Sequence, residues 1–372
     1  TLNSLTGKGK IEEGKFKLDF SALKGEVLFS DAEIYFKEQL SPVTVPQFFL
    51  SYRDGGLYFD LKKPTYEGIS LDGSEVSIRN LLNRHTNLKL KIRAHTAFES
   101  KLKNILKAYK LEFPLYQESG KADLLFMADI SLKSTYQDYF VNVDFEKSEV
   151  FLNKVKLPIE KGIVQYHKGV VSVKNLHLKD THYEGDLNGS IDLNTSSADL
   201  IFNSKRVELG DEGKPFFVLK DQMLPFSLRF KENIEVKIPK LSTKAVSENN
   251  VTNIIVTDLS KIKPFLVNPE LIEQGGNVNI KTKDFETFTF KGMLKRLSCF
   301  IYEKENQCKS RVPFEGKVTP SDLDFYAFDK RFHYNQASSR VKITKLNIDL
   351  EEFLKATKKK TIKTDSNKKK AK

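Results

Sequence analysis

Several residue types are scarce in this chain, and each scarcity excludes a class of protein. The 372 residues include no Trp, two Cys and three Met. Two cysteines cannot build a disulfide scaffold with several bridges. With 12 Pro and 19 Gly, the chain is neither collagen-like nor a Pro/Gly-rich low-complexity segment. No stretch approaches the ~18 consecutive apolar residues of a membrane-spanning helix.

Net positive charge is also small outside the C-terminal end. The chain has a net charge of +12, and residues 355–372 contribute +8 of it through nine Lys and one Asp. The other 354 residues carry only +4. A nucleic-acid groove needs its positive charge on a folded face, so no nucleic-acid partner is predicted. Residues 355–372 are predicted to be a disordered basic tail, and contact of this tail with anionic lipid is the less favoured alternative.

Catalytic signatures are missing as well. The sequence contains no Gly-x-Ser-x-Gly, no His-Glu-x-x-His and no dinucleotide fingerprint. Residues 9–16 resemble a phosphate-binding loop, but Phe16 follows Lys15 where a Ser or Thr would hold the metal. Nothing marks the paired carboxylates of a carbohydrate-active enzyme. We therefore predict that the protein is not an enzyme and has no cofactor.

Two small groups of metal-binding or redox-active residue types remain. His167, His177 and His182 lie close in sequence, but they lack a Cys or Glu partner at ligand spacing. They are predicted to be three solvated imidazoles, and no metal site is predicted. Cys299 and Cys308 could pair across a hairpin in an oxidising compartment, or they could be two free thiols.

The pattern that dominates the chain is alternation of apolar and polar residues. Residues 15–20, 88–93 and 141–146 each alternate with a period of two, which is typical of strands with one apolar and one charged face. Turn residues such as Asn188-Gly189 separate these runs. The chain is therefore predicted to be mainly β, as a long antiparallel meander of about twenty strands.

Helices are predicted to be few and short. Residues 98–109 carry one apolar stripe at helical spacing. Short helices are predicted at 258–265 and 349–355, and a further short one at Arg79–Leu82. A change of composition at 240–250 predicts a division into a first β segment at 1–245, a second at 246–354 and the tail at 355–372.

The apolar strand faces leave two outcomes open. They could pack together as a dry sandwich, or the sheet could curl into a U-shaped groove with an apolar lining. A single amphipathic helix cannot cover the apolar faces of so many strands, and this favours the groove. The predicted lining residues are Phe16, Leu18, Phe20, Val27, Phe29, Phe48, Leu50, Leu57, Phe59, Leu88, Leu90, Ile92, Leu124, Phe126, Val141, Val143, Phe145, Phe226, Leu228, Phe230, Ile234, Val236 and Ile238.

Four stretches of the sequence resemble the AsmA-like superfamily, most closely its YhdP-type and TamB-type members. Residues 25–78 repeat a strand, a turn and a Gly-x-x-Leu motif, and residues 98–132 contain a helix followed by Pro-Leu and a strand. Residues 157–193 contain strands and turns that end in Gly-x-Leu-x-Gly-x-Ile-Asp-Leu, and residues 341–354 resemble a recurrent strand-to-helix segment. The resemblance covers most of residues 1–354. The Cys pair and the Lys-rich end depart from the family pattern.

The resemblance implies a bridge-like lipid transfer protein of Gram-negative bacteria. Such proteins are anchored in the inner membrane, and their periplasmic part is a U-shaped β-groove that conducts phospholipid toward the outer membrane. The sequence is then expected to be an internal fragment whose anchor lies outside it, with phospholipid, the inner membrane and envelope proteins as partners. The alternative is a structural or interaction module of the cell envelope, built as a β-sandwich or solenoid.

Overall fold

The computed structural model describes residues 1–36, 38–83, 85–97, 100–108, 115–152, 155–211, 213–269, 272–296, 301–302 and 310–349. These residues form 28 strands and one α-helix, α1 (Ser100–Ala108), which confirms the mainly β prediction. The strand count exceeds the predicted twenty because several strands have only two to five residues. The chain forms two compact units, Thr1–Thr195 and Ser196–Lys372.

Unit 1 contains fifteen strands and α1 among its described residues. The strands are β1 (Leu2–Glu12), β2 (Lys15–Ile34), β3 (Val43–Arg53), β4 (Gly56–Lys62), β5 (Thr65–Tyr66), β6 (Ile69–Ser70), β7 (Glu75–Arg79), β8 (Asn87–Thr96), β9 (Leu115–Ser119), β10 (Ala122–Ser131), β11 (Gln137–Phe145), β12 (Ser148–Leu152), β13 (Val155–His167), β14 (Val170–Lys179) and β15 (Tyr183–Asp192).

Strand order in unit 1 follows the chain, with two insertions. The main sheet runs β1-β2-β3-β4-β7-β8-β10-β11-β13-β14-β15, and every pairing is antiparallel. The β5–β6 hairpin attaches to one end of β3, and β9 and β12 extend the sheet beside the first half of β13. The result is an open meander in which β1 pairs only with β2 among the described strands.

Unit 2 contains the remaining thirteen strands among its described residues. They are β16 (Ser197–Asp211), β17 (Lys214–Arg229), β18 (Ile234–Ile238), β19 (Thr243–Glu248), β20 (Val251–Val256), β21 (Gly275–Thr282), β22 (Phe288–Lys295), β23 (Ile301–Tyr302), β24 (Arg311–Thr319), β25 (Asp322–Ala327), β26 (Phe332–Asn335), β27 (Arg340–Ile343) and β28 (Asn347–Ile348).

The main sheet of unit 2 is also an antiparallel meander. It runs from β16 to β27 in chain order, and β23 pairs with β28 in a separate two-stranded ladder. Strands β18, β19 and β20 pair continuously through the composition change at 240–250. Because a sheet can continue across a domain boundary, the division predicted at residue 245 stays a prediction. The predicted tail at 355–372 lies outside the described residues.

The helix predictions have mixed outcomes. Helix α1 confirms the predicted helix at 98–109, whose ends lie outside the described residues. Two 3₁₀ turns, Leu259–Lys261 and Lys263–Phe265, replace the helix predicted at 258–265. The prediction at Arg79–Leu82 is wrong, because Arg79 ends β7 and a turn follows. The helix predicted at 349–355 and the Cys299–Cys308 pair fall outside the described residues.

Each unit has small apolar clusters rather than one deep core. In unit 1, Tyr66, Ile69 and Leu71 are buried under α1, whose Ile105 packs against them. Lys101 Nζ of α1 donates to Glu67 O at 2.8 Å, which fixes the helix to the β5–β6 hairpin. The helix therefore covers only a small part of the sheet.

In unit 2, 3₁₀ turns have the same covering role, namely the two above and Pro239–Leu241. Leu266 and Ile262 pack against a buried cluster that includes Phe217 and Leu219. The turn at Leu259–Lys261 begins with Asp258, whose Oδ1 accepts a hydrogen bond from Ser260 N at 2.9 Å. This cap satisfies a backbone donor that the short turn leaves free.

Two glycines in the strands of unit 2 make room for aromatic rings. A Cβ on Gly316 would lie 2.3 Å from Asp324 O and 2.5 Å from Phe290 Cζ. A Cβ on Gly292 would lie 2.6 Å from Phe314 Cζ. Neither glycine has a positive φ, so the requirement for glycine comes from contact and not from backbone conformation.

Gly316→Ala should therefore destabilise the protein by about 1–3 kcal/mol, because the added methyl group overpacks a backbone oxygen and a ring. The matched control is Gly25→Ala, whose nearest neighbour is the flexible Leu5 Cδ1 at 3.1 Å. The midpoint of urea unfolding, followed by circular dichroism, measures both. Equal midpoints for the two variants would contradict the packing described here.

Candidate functional site

Seven strands of unit 1 place an apolar side chain at the same level of the same face. Residues directly opposite each other in an antiparallel pair share a face, so the register alone builds a row across the sheet. From β2 to β11 the row consists of Val27, Leu50, Phe59, Val76, Leu90, Ala128 and Tyr139.

A second row lies beside the first, two residues further along β8. From β8 to β15 it consists of Ile92, Phe126, Val141, Tyr166, Val171 and Ile191. We call the face that carries these two rows the apolar face of unit 1. With ~4.8 Å between strands, each row spans several strand widths without a charged side chain.

A register shift near the first strands preserves this face. Thr6 of β1 is opposite Lys24 of β2, and Lys8 is opposite Asp19. An advance of two residues along β1 therefore corresponds to five residues along β2. Because β2 has three extra residues, an odd number, its apolar face carries even-numbered residues before the shift and odd-numbered residues after it. Phe16 and Val27 therefore both lie on the apolar face, although simple alternation would separate them.

The structure brings the predicted lining residues of unit 1 together on this face. Seven of them lie in the two rows: Val27, Leu50, Phe59, Leu90, Ile92, Phe126 and Val141. The others flank the rows by alternation or through the register shift: Phe16, Leu18, Phe29, Phe48, Leu57, Leu88, Leu124, Val143 and Phe145. Phe20 lies in the stretch of β2 that has no direct partner on β1. Contact of these residues with lipid stays a prediction.

Exposure separates these residues into two kinds. Most are half-buried, and Phe16 is 67% exposed. Phe48 and Phe145 are buried, and Phe145 is only 5% exposed between Ala122 and Gly162. A charge at Phe145 would therefore disturb folding, whereas a charge at the half-buried Phe126 changes the surface of the face.

Aromatic contacts make part of the face rigid. The rings of Phe29 and Phe48 stack with centroids 4.6 Å apart, and Phe59 continues the stack at 6.1 Å from Phe48. Phe126 and Tyr139 stack at 6.1 Å across β10 and β11. Such offset pairs add ~0.5–1.5 kcal/mol each beyond the area they bury.

Unit 2 carries a corresponding row on one face of its own sheet. From β16 to β27 the row consists of Ala198, Leu228, Val236, Ala245, Ile254, Ile280, Phe290, Gly316, Phe325, Tyr334 and Val341. Of the six lining residues predicted here, Leu228 and Val236 lie in the row. Phe226, Ile234 and Ile238 flank it by alternation, and Phe230 follows the end of β17.

Three phenylalanine rings surround Gly316, the one residue of this row that has no side chain. Phe290 and Phe325 lie on either side of Gly316, and their ring centroids are 6.2 Å apart. Phe314 lies 6.1 Å from both rings. These three phenylalanines were not among the predicted lining residues, although the alternation in residues 288–294 contains a signal for Phe290.

The opposite, polar face of unit 1 is held by cross-strand ion pairs. Lys89 Nζ lies 3.1 Å from a carboxylate oxygen of Asp129, and Lys91 Nζ lies 2.6 Å from Glu75 Oε1. All four side chains sit one residue out of phase with the apolar rows. Opposite charges on neighbouring strands contribute modestly, roughly 0.2–1 kcal/mol per pair.

The same pattern recurs on the polar face of unit 2. Hydrogen bonds from Lys244 and then Lys237 lower the pKa of Glu235 to about 2. A depressed carboxyl pKa stabilises the folded state above the ordinary value of 4.5, and this contribution is lost as the pH falls from 4.5 toward 2. Near neutral pH the carboxylate therefore remains ionised and paired.

Of the three histidines predicted to be solvated, His167 and His182 are exposed, whereas His177 is half-buried. His177 is only 14% exposed in its side chain and lies 2.8 Å from Asp186 Oδ1. His167 contacts a different carboxylate, Asp138, at 3.1 Å. A different group, His95, Asp123 and Glu146, brings its ligand atoms within 4.8 Å of one another, but all three residues are exposed. Within this group, His95 and Asp123 are in direct contact at 2.8 Å.

Membrane insertion by a helix has no candidate in the described part of the chain. Its helices are all too short or too polar to cross a bilayer.

The two faces of one strand offer a matched test of the apolar face. Phe126→Glu should reduce the binding of a neutral apolar dye such as Nile red by about twofold or more, because it places a charge in a half-exposed apolar row. Met127→Glu is the control, since Met127 is 37% exposed on the other face of β10. Dye fluorescence on the folded variants measures the difference. An equal loss in both variants would contradict the assignment of the faces.

Comparison with known proteins gives one match. No curated protein matches the chain, and no solved structure matches it. A protein-family model does match, the model of the YhdP protein, over residues 1–201. The match covers more than half of the 372 residues and includes all of unit 1. This chain, with its open antiparallel sheets and apolar rows, belongs to the YhdP family.

Proposed function

We propose that this chain carries phospholipid between the inner and outer membranes, with the acyl chains lying along its apolar faces. The YhdP family is a lipid-transport family of the cell envelope, which supports this proposal at the level of the family. The observation that carries it is the first row of unit 1, in which seven strands present apolar side chains in register, all of them half-exposed except the buried Ala128.

The energetics of an acyl chain suit such a row. A chain of about fifteen methylenes gains roughly 12 kcal/mol when it leaves water completely, at ~0.8 kcal/mol per CH₂. Contact on one side recovers about half of this, which is enough to hold the chain on the face. The polar headgroup stays in water, where it keeps its hydration.

No chemistry on the lipid is part of the proposal. The family is generally non-enzymatic. In unit 1, Lys89 and Lys91 form ion pairs with Asp129 and Glu75, and His167 contacts Asp138 at 3.1 Å. The transfer step is therefore a movement of intact lipid.

The alternative is a structural module whose apolar faces are packed dry. Such packing buries the side chains of the inner face. Within unit 1, Leu90, Phe126 and Val141 remain half-exposed, and α1 covers only the end of the sheet near Ile92. These exposures favour the lipid-carrying function over a dry sandwich.

The location and partners belong to the proposal as well. The chain would work in the periplasm, as part of a protein anchored in the inner membrane, with phospholipid as its cargo. Envelope proteins at either membrane are the expected partners.

Mass spectrometry of an organic extract tests the function directly. The purified chain should carry phospholipid, and the double variant Leu90→Glu, Phe126→Glu should carry about fivefold less, because two charges interrupt both rows of unit 1. The matched control is Met127→Glu, Ser190→Glu, which adds the same charge on the polar face at an exposed serine.

Circular dichroism establishes that each variant is folded. Phospholipid loss confined to the apolar-face variant supports the proposal. Absence of lipid from the wild-type chain, or equal lipid in both folded variants, overturns it and favours the dry structural module.

A further inference from the structure

A shallow depression lies on the polar face of unit 2, on the other side of the sheet from the apolar row. Strands β21, β22, β24 and β25 form it, and three lysines stand around it: Lys281, Lys291 and Lys317. Thr289 and Tyr326 also line it. The proposed lipid function does not use this surface.

The register places the three lysines around one hydroxyl group. Thr289 of β22 is directly opposite Lys281 of β21 and directly opposite Lys317 of β24. Lys291 follows two residues later on β22, so it shares the same face. Directly opposite residues lie ~5 Å apart at Cβ, which lets three flexible ammonium groups reach the Thr289 hydroxyl.

The acidic residues of the depression are engaged elsewhere. Glu315 is directly opposite Lys291, but its Oε1 accepts from Lys330 Nζ at 3.0 Å. Asp324 is directly opposite Lys317, but its Oδ1 lies 2.5 Å from His333 Nε2. The hydrogen bond with His333 lowers the pKa of Asp324, so this carboxylate stays committed to the histidine.

The three lysines are therefore left without a counterion among the residues that the structure describes. None of them forms a salt bridge within the described part of unit 2. Like charges on neighbouring strands repel one another, and an anion bound between them removes this cost. A phosphate group has enough oxygen atoms to accept from three ammonium groups and one hydroxyl group at once.

We propose that Lys281, Lys291, Lys317 and Thr289 form a binding site for a phosphate ester on the polar face of unit 2. The phosphate belongs either to a soluble ester or to the headgroup of an anionic phospholipid. The site lies on another face and in another unit than Leu90 and Phe126, so its test is independent of the lipid-carrying function.

Isothermal titration calorimetry with glycerol 3-phosphate at low salt tests the site, because screening weakens exposed charge interactions. The triple variant Lys281→Ala, Lys291→Ala, Lys317→Ala should bind at least about tenfold more weakly than the wild type, since three charge-assisted hydrogen bonds are lost. Replacement of the same three lysines by Arg should keep affinity within about threefold, because the charge remains.

Two further variants separate a site from general charge. Lys8→Ala, Lys24→Ala, Lys174→Ala removes the same charge from three dispersed lysines of unit 1, and should change affinity by less than about twofold. Thr289→Val removes only the hydroxyl group and should weaken binding about threefold. Circular dichroism checks that each variant is folded.

Co-sedimentation with vesicles distinguishes the two sources of phosphate. Phosphatidylcholine vesicles with and without phosphatidylglycerol are compared for the wild type, the clustered Lys→Ala variant and the dispersed Lys→Ala variant. All three proteins keep the same residues 355–372. Binding of glycerol 3-phosphate that is lost only in the clustered variant supports a site for a soluble ester. Vesicle binding with the same selectivity supports a headgroup site. Absence of both, or an equal loss in the dispersed variant, overturns the proposal.

Discussion

Antiparallel register is the constraint on which the rest of this structure depends. Side chains alternate between the faces of a strand, so a slip of one residue moves a whole strand's apolar set to the wrong face. The row from Val27 to Tyr139 exists only because seven strands keep the same phase. The one large irregularity, between Thr6 and Lys8, restores the phase because it inserts an odd number of residues.

The two faces of each sheet are stabilised by different interactions. On the polar face, pairs such as Lys91–Glu75 and Lys244–Glu235 connect neighbouring strands and favour the correct register. On the apolar face, stacked rings such as Phe29 and Phe48 do the same. Because both faces are held strand by strand, the sheet does not need a second layer over its whole area. Small covers such as α1 are sufficient, and most of the apolar face stays accessible.

Alternation in the sequence was sufficient to predict the architecture and much of the site. Leu90, Ile92 and Val141 lie in strands whose local pattern is unambiguous, and their common face follows from period two. Long-range effects were not predictable. The burial of Phe145 depends on Gly162 of another strand, and the engagement of His177 depends on Asp186. Such partners are set by register, which local sequence does not specify.

Unit 2 shows why part of the row escaped sequence reasoning. Gly316 interrupts the apolar pattern of β24, and Thr252 and Ile255 obscure the pattern of β20. In the folded sheet, the rings of Phe290 and Phe325 cover the glycine, so the gap in the sequence is not a gap on the surface. At a glycine flanked by cross-strand phenylalanines, the neighbouring rings therefore supply the apolar surface that the glycine lacks.

Under the proposed lipid-carrying function, the form of the site has a consequence for movement along it. A pocket holds a ligand most strongly at one place, whereas a row of similar apolar side chains holds an acyl chain about equally at successive strands. Moving one strand spacing of ~4.8 Å exchanges contacts of the same kind, and leaving the row costs several kcal/mol of renewed hydration. Lateral movement is then favoured over release. This difference requires continuity of the row and not any single residue, which agrees with a site composed of Val, Leu, Ile, Phe and Tyr in no fixed order.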